Sequence, residues 1–348
     1  MDTVLCLHTG LGRLSSSAQT KHRRLIRRVL TECRYLLESQ AASIDAIALA
    51  VHAVRLLESD PLTNAGYGSA LNENGQVECD ATVMDGLSGQ FGSVGAVTGL
   101  EHPVDVAEAV CRQAMRMDEP SSPHILVAEG AQAFALRSNI PLAPFSLISP
   151  AALLCAQQQR TALLTEAPAI QDTVGCIVWH GENMAAAVSS GGPWNRPAGR
   201  IGPAAVAAAG CWIRQNRWGT VTTGDGEALL SQSTAMIVSL TEGGGEAAEE
   251  EEEKDSLTSK SRRSLAWMQL DGPSARLYCQ ASYYPQPSAS SAPGDSPLPL
   301  QWCIGATRWT ARPKSDGQTT LEDEASSTFT KVLHCPPGTS FQHYERLR

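Results

Sequence analysis

Apolar positions change period several times along the chain, and each change marks an element. Val4 to Leu7 is a short apolar run of strand length. His8-Thr9-Gly10-Leu11-Gly12 follows it and reads as a tight turn, since it lacks the Lys-Ser/Thr of a phosphate loop. From residue 17 to 38 the period lengthens: Leu25, Val29, Leu30, Cys33, Leu36 and Leu37 form the stripe of an amphipathic helix. A second helix carries Ile47, Val51 and Val54 and ends near Ser59-Asp60-Pro61. Asn74-Gly75 is a hairpin turn, and strands are predicted at Val77–Gly86 and Phe91–Leu100. A helix runs from Val104 to Met117 after Pro103, then a short strand and helix from His124 to Leu136.

The pattern breaks at residues 139–172, where Pro141, Pro144, Pro150 and Pro168 recur around Gln157-Gln158-Gln159. This segment reads as an exposed, flexible linker of the kind that tolerates nicking. It ends abruptly at Asp172. Thr173 to Trp179 is an apolar strand, His180 to Asn183 a turn, and Met184 to Ser190 the returning strand, closed by Gly191-Gly192. Beyond it lie a small-residue stretch, Ala204 to Cys211, and a hairpin from Leu265–Leu270 and Arg276–Tyr283. Strand-like runs follow at Trp302–Ala306 and Phe329–Leu333. Residues 241–263, with five glutamates from Glu249 to Glu253, and 284–299, rich in Pro and Ser, read as disordered insertions.

Composition narrows the function classes. The net charge of −9 argues against a general nucleic-acid binder. No apolar run approaches a membrane span. Ten cysteines occur without a CxxC pair or a Cys/His cluster, which disfavours a zinc site or a disulfide scaffold and suits a reducing compartment. The expectation is a soluble protein of the cytoplasm or nucleus, with no metal in its catalytic chemistry. The basic cluster Lys21, Arg23, Arg24, Arg27 and Arg28 is read as the solvated face of its helix, with nuclear import as the rival reading.

Candidate chemistry centres on Thr173. A threonine hydroxyl needs a base. Cleavage of the Asp172–Thr173 bond would place a free α-amine beside it, and an α-amine titrates near 7.7–8.0 without tuning. One residue then supplies nucleophile and base. On these residues alone, a buried strand threonine after an aspartate turn is the favoured explanation of the stretch. Arg200, in the turn Ala198-Gly199-Arg200-Ile201-Gly202-Pro203, suits capture of a carboxylate, against the alternative of a surface arginine. Thr223-Gly224, opening a helix, offers a hydroxyl and amide groups to an oxyanion. Glu78 and Asp80, two apart on a strand, lie side by side, which is poor geometry for flanking a bond and points to a positioning role.

Six blocks decide between these readings. They are Thr63-Asn64-Ala65-Gly66-Tyr67-Gly68-Ser69, Val77 to Gly86, Asp172-Thr173-Val174-Gly175, Val188 to Gly192, Gly199-Arg200-Ile201-Gly202, and Thr223-Gly224 with Gly226-Glu227. In this order and spacing, over roughly residues 4–230, the chain resembles the type 2 asparaginase family of N-terminal-nucleophile hydrolases, most closely its threonine aspartase branch. The resemblance implies an α+β fold, a four-layer αββα sandwich made as a precursor. Self-cleavage would give an α subunit, 1–172, and a β subunit, 173–348. It implies Thr173 as nucleophile, Ser190 as an aid to autocleavage, Arg200 as the binder of the aspartyl carboxylate, and Thr223 and Gly224 as the oxyanion hole. Asn64 falls in the loop approaching the scissile site and is expected, with Arg200, to bind substrate. The family also implies a structural sodium or potassium ion near Leu62–Gly68, and a homodimer of processed protomers.

Two departures shape the functional expectation. Asparaginases carry an aspartate three residues after the arginine, where it holds the substrate's free α-ammonium; here that residue is Pro203, with no charge and no N–H. The sequence therefore predicts an endopeptidase acting on protein substrates after aspartate. An L-asparaginase or isoaspartyl peptidase is the alternative, and an unprocessed homologue serving as a scaffold is the third reading. The C-terminal third departs from the family pattern, which leaves the completeness of the core as a question for the structure.

Overall fold

The computed structural model describes residues 2–347 apart from 41–42, 117–121, 162–172, 241–263, 284–299, 314–318, 324–327 and 337–338. The expected insertions, the last part of the expected linker and the Asp172 side of the expected cleavage site lie outside the described residues. In the first part of the chain the elements are β1 (Asp2–Gly12), α1 (Ser16–Gln40), α2 (Ala46–Glu58), β2 (Cys79–Asp85), β3 (Phe91–Val97), α3 (Pro103–Ala114), β4 (Ile125–Val127), α4 (Ala128–Arg137) and α5 (Pro150–Thr161). After Thr173 come β5 (Val174–His180), β6 (Asn183–Ser190), α6 (Ala207–Gly210), β7 (Cys211–Arg214), β8 (Trp218–Gly224), α7 (Gly226–Gln232) and α8 (Thr234–Leu240). The last strands are β9 (Leu265–Asp271), β10 (Arg276–Tyr283), β11 (Leu300–Pro313), β12 (Thr319–Asp323), β13 (Phe329–Cys335) and β14 (Thr339–Arg346).

These elements build two sheets. The larger has the order β12-β11-β1-β5-β6-β2-β3-β4, with β13 also on β11; the smaller runs β14-β10-β9-β8-β7. Two apolar layers follow from the period of the strands, whose alternate side chains point to opposite faces. Leu5, Leu7, Cys176, Val178, Ala185 and Ala187 face the helices, where they meet Leu25, Val29, Leu49, Val54 and Val110. Val4, Cys6, Ile177, Met184, Ala186 and Val188 face the smaller sheet, where they meet Ile213, Val221, Met268 and Leu277. Helices α6 to α8 pack against the smaller sheet. The chain is thus a mixed α+β protein with helices, two sheets and helices in layers, the arrangement that the resemblance implies.

The α1 stripe is buried as predicted, at Leu25, Val29, Leu30, Cys33 and Leu37. Lys21, Arg23, Arg24, Arg27 and Arg28 are exposed, so the solvated-face reading describes their setting. Asp45 caps α2 by accepting from the Ala48 amide at 2.8 Å. No helix among the described residues is long and apolar enough to cross a membrane.

Two expectations are corrected. His8 to Gly12 is not a turn: β1 continues to Gly12, absorbing the glycines in a register shift between His8 and Leu11 against β11. The segment after residue 139 is not all linker. α5 begins at Pro150, a residue preorganised for the first helical position, and the Ser149 hydroxyl accepts from the Ala152 amide at 3.1 Å. Leu147 and Ala152 anchor this region in the core. The C-terminal departure does not leave the core open either. β11 pairs with β1 directly beside the Thr173 strand, and its Trp302, Cys303, Ile304 and Ala306 are buried.

Candidate active site

Thr173 stands one residue before β5 and is buried, at 2% exposure. The β5–β6 hairpin turns at Gly181, whose φ of 63° suits the tight connection between His180 and Asn183. Its register pairs Val174 with Ser189, so the next step places Thr173 opposite Ser190. β6 pairs with β2, and there Ser190 faces Asp80. Thr173, Ser190 and Asp80 therefore form one row across three adjacent strands. Cross-strand neighbours share a face, and this row faces the smaller sheet.

The contact between the sheets brings in the fourth group. A methyl built on Gly175 would lie 3.2 Å from Val221 Cβ, and one on Gly219 would lie 2.7 Å from Ile177 Cγ2. β5 and β8 thus cross the interlayer in antiparallel sense, 175 over 221 and 177 over 219. One further step sets Thr173 over Thr223. The Thr223 hydroxyl is buried and has no hydrogen-bond partner. A buried hydroxyl without a partner is costly, and this one is left free to donate into the space beside Thr173. Gly224, at φ 132°, ends the strand with backbone that other residues rarely adopt. Asp225 then caps α7 by accepting from the Ala228 amide at 3.0 Å.

The turn after β6 is held on every side. Asn64 Nδ2 donates to the Gly192 carbonyl at 2.8 Å, its Oδ1 accepts from the Ala70 amide at 2.8 Å, and its own carbonyl accepts from Gly191 at 2.7 Å. Ser190 Oγ accepts from the Gly192 amide at 3.0 Å. The structure places Asn64 as the clamp of this turn, with both ends of its amide engaged. Buried Arg196 donates to the carbonyls of Gly191 and Glu78, and it lies 3.8 Å from the Glu78 carboxylate. Glu78 in turn accepts from the Gly199 amide at 3.1 Å. Sequence reasoning did not single out Arg196, and nothing in the spacing around it gives a signal.

Asp80 and Glu78 have the positioning role expected of them. Asp80 Oδ1 accepts from Ala96 at 2.8 Å and Oδ2 from Gly202 at 2.7 Å. Burial pushes its carboxyl up to about 6, against the pull of the two amides and of Arg196 and Arg200. At neutral pH it carries its charge and balances Arg200, which borders the same Gly202: a methyl there would meet Arg200 Nη1 at 2.8 Å and Asp80 Oδ2 at 3.2 Å. Arg200 is mostly buried, its side chain 16% exposed, and its Nε and Nη2 donate to Glu227 Oε1 at 3.0 and 2.7 Å. Pro203 packs beside it, 3.2 Å from where a methyl on Gly226 would be.

One further residue touches the Thr173 strand. His8 pairs with Gly175, and a methyl on that glycine would come within 2.5 Å of His8 Nε2. Its ring packs edge-on against Trp302 at 5.6 Å. Burial lowers its pKa to about 3, so at working pH it is the neutral imidazole, with a proton on one ring nitrogen only. Among the described residues no group of three or more His, Cys, Asp or Glu is placed to hold a metal ion.

A family model described as asparaginase matches residues 1–265. The chain belongs to the type 2 asparaginase family. It is an enzyme of this hydrolase family, and the matched span contains Asn64, Thr173, Ser190, Arg200, Thr223 and Gly224. The isoaspartyl peptidase/L-asparaginase of Mus musculus is 34% identical over 242 residues, covering 67% of this chain and 71% of that one. The probable isoaspartyl peptidase/L-asparaginase 2 of Arabidopsis thaliana is 31% identical over 270 residues, covering 68% and 79%. The isoaspartyl peptidase of Salmonella typhimurium is 33% identical over 260 residues, covering 69% and 79%. The match to the family model stops where β9 begins, in line with the divergent C-terminal strands.

Proposed function

We propose that this asparaginase-family enzyme cleaves itself between Asp172 and Thr173 and then hydrolyses protein chains after aspartate. The observation that carries the substrate reading is Pro203. It lies against Gly226 beside Arg200 and offers neither charge nor N–H, so an α-ammonium finds no anchor on that side. An aspartate inside a polypeptide has no α-ammonium to anchor. Its side-chain carboxylate goes to Arg200. The Thr173 hydroxyl attacks the following carbonyl carbon while its proton passes to the Thr173 α-amine. Thr223 and the Gly224 amide receive the oxyanion. The C–N bond breaks, the leaving amine takes the proton, and water then hydrolyses the ester and restores the hydroxyl.

The names of the relatives favour a second reading, in which the same groups act on isoaspartyl peptides or L-asparagine. Both readings share the nucleophile and the carboxylate site. They part on one assay: a peptide containing an internal aspartate and free L-asparagine are each incubated with the purified protein, following peptide mass and ammonia. Cleavage after aspartate with little ammonia is the expected result. Rapid ammonia release with the peptide left intact transfers the assignment to the second reading.

In this reading the loop before the clamp holds one structural ion, as the family resemblance implies. The Glu58 carbonyl lies 2.6 Å from where a methyl on Gly66 would sit, and those of Thr63 and Asp60 lie 2.0 and 3.1 Å from one on Gly68. These approaches leave no room for a side chain at either glycine; the sodium or potassium ion that the resemblance implies would stiffen Leu62–Gly68 behind Asn64.

A further inference from the structure

Glu227 occupies the place that a substrate carboxylate needs. The Arg200 fork presents Nε and Nη2 on one edge, the edge that pairs best with a carboxylate. Both atoms donate to a single oxygen of Glu227, at 3.0 and 2.7 Å. The two partners are held very differently. Arg200 is 16% exposed, enclosed by Gly202, Gly226 and Asp80, whereas the Glu227 side chain is 64% exposed. An ion pair whose acid is this exposed contributes little to stability, because water solvates the carboxylate nearly as well as the guanidinium does. α7 does not depend on it either, since Asp225 already caps the helix through Ala228. The arginine is therefore fixed and the glutamate is exchangeable.

We infer that Glu227 is a built-in competing ligand for Arg200, displaced when the aspartyl carboxylate of a substrate binds. It is a specificity-determining residue in two respects. It raises the concentration at which a carboxylate ligand saturates the site. It also rejects neutral side chains, because a group that cannot take both donors leaves the internal pair intact. This inference rests on the carboxylate-binding role proposed for Arg200, but not on the identity of the nucleophile.

The test is a calorimetric titration of the purified full-length protein with N-acetyl-L-aspartate, which carries the aspartyl carboxylate without an α-ammonium. Glu227→Gln is expected to bind about fivefold more tightly than the wild type, the factor for an exposed ion pair of this class. Arg200→Ala is expected to bind neither more nor less after Glu227→Gln is added, and far more weakly than wild type. Equal or weaker binding by Glu227→Gln overturns the proposal, since Glu227 would then orient Arg200 rather than compete for it. Binding by Arg200→Ala at wild-type strength, or no binding by any of the proteins, overturns it as well. A chain that fails to split at Thr173 is detected separately by its mass, and it counts against the hydrolase reading alone.

Discussion

A Thr173→Ala chain is expected to lose hydrolysis by on the order of 10⁴-fold or more, the scale on which triad-type enzymes lose activity when the nucleophile goes. Two losses combine. The hydroxyl attacks the substrate, and before that it attacks the preceding carbonyl to release the α-amine. Removing it takes away the nucleophile and leaves the base locked in a peptide bond. The fold should survive, because alanine deletes only a hydroxyl and a methyl at the end of a strand already pinned by β6 and β1. Kinetics on folded variant, with circular dichroism as the check on folding, decides it. Retention of activity within tenfold of wild type would show that the chemistry lies elsewhere, since no nucleophile loss is so mild.

Arg200→Ala is expected to lower kcat/KM for the aspartyl substrate by roughly 10²- to 10³-fold, the cost of truncating one partner of a largely buried, hydrogen-bonded charge pair. The carboxylate would lose its counter-charge while Asp80, fixed by Ala96 and Gly202, continues to project negative potential into the same space. Self-cleavage should be nearly untouched, because the row from Thr173 to Ser190 and Thr223 does not include the arginine. This separation is the informative part. A variant that processes normally but fails on substrate places Arg200 in recognition. One that stops processing as well, or keeps full kcat/KM, contradicts the assignment.

Much of this architecture was legible in the sequence, and the limits have physical reasons. The continuous apolar runs around Thr173 and Met184 gave the central hairpin, because a sheet buried on both faces leaves an unbroken apolar signal bounded by glycines. The α1 stripe was equally plain, with its basic residues on the water side. Resemblance located Arg200 and Thr223, but only the folded chain sets Thr223 across from the Thr173–Ser190–Asp80 row and Arg200 beside Gly202, Gly226 and Asp80. His8 to Gly12 misled because two glycines look like a turn, whereas a bulge accommodates them inside a strand. α5 was hidden by prolines that break helices in the interior but start them at the first position. Arg196 left no signal of its own, and Glu227 entered only as part of the matched Gly226-Glu227 pair, with no role attached. Their roles depend on which carbonyls and which guanidinium the folded chain brings near them. Nor did the sequence show that Trp302 and its neighbours complete the sheet beside β1, since that contact spans nearly the whole chain.

The central claim is that Thr173 becomes an N-terminus and acts from there. Intact mass of the purified wild-type protein tests it most directly. The expected result is two polypeptides, residues 1–172 and 173–348, with a free threonine at the start of the second. A chain that stays whole through prolonged incubation would contradict the account and leave Thr173 an ordinary buried residue of a strand.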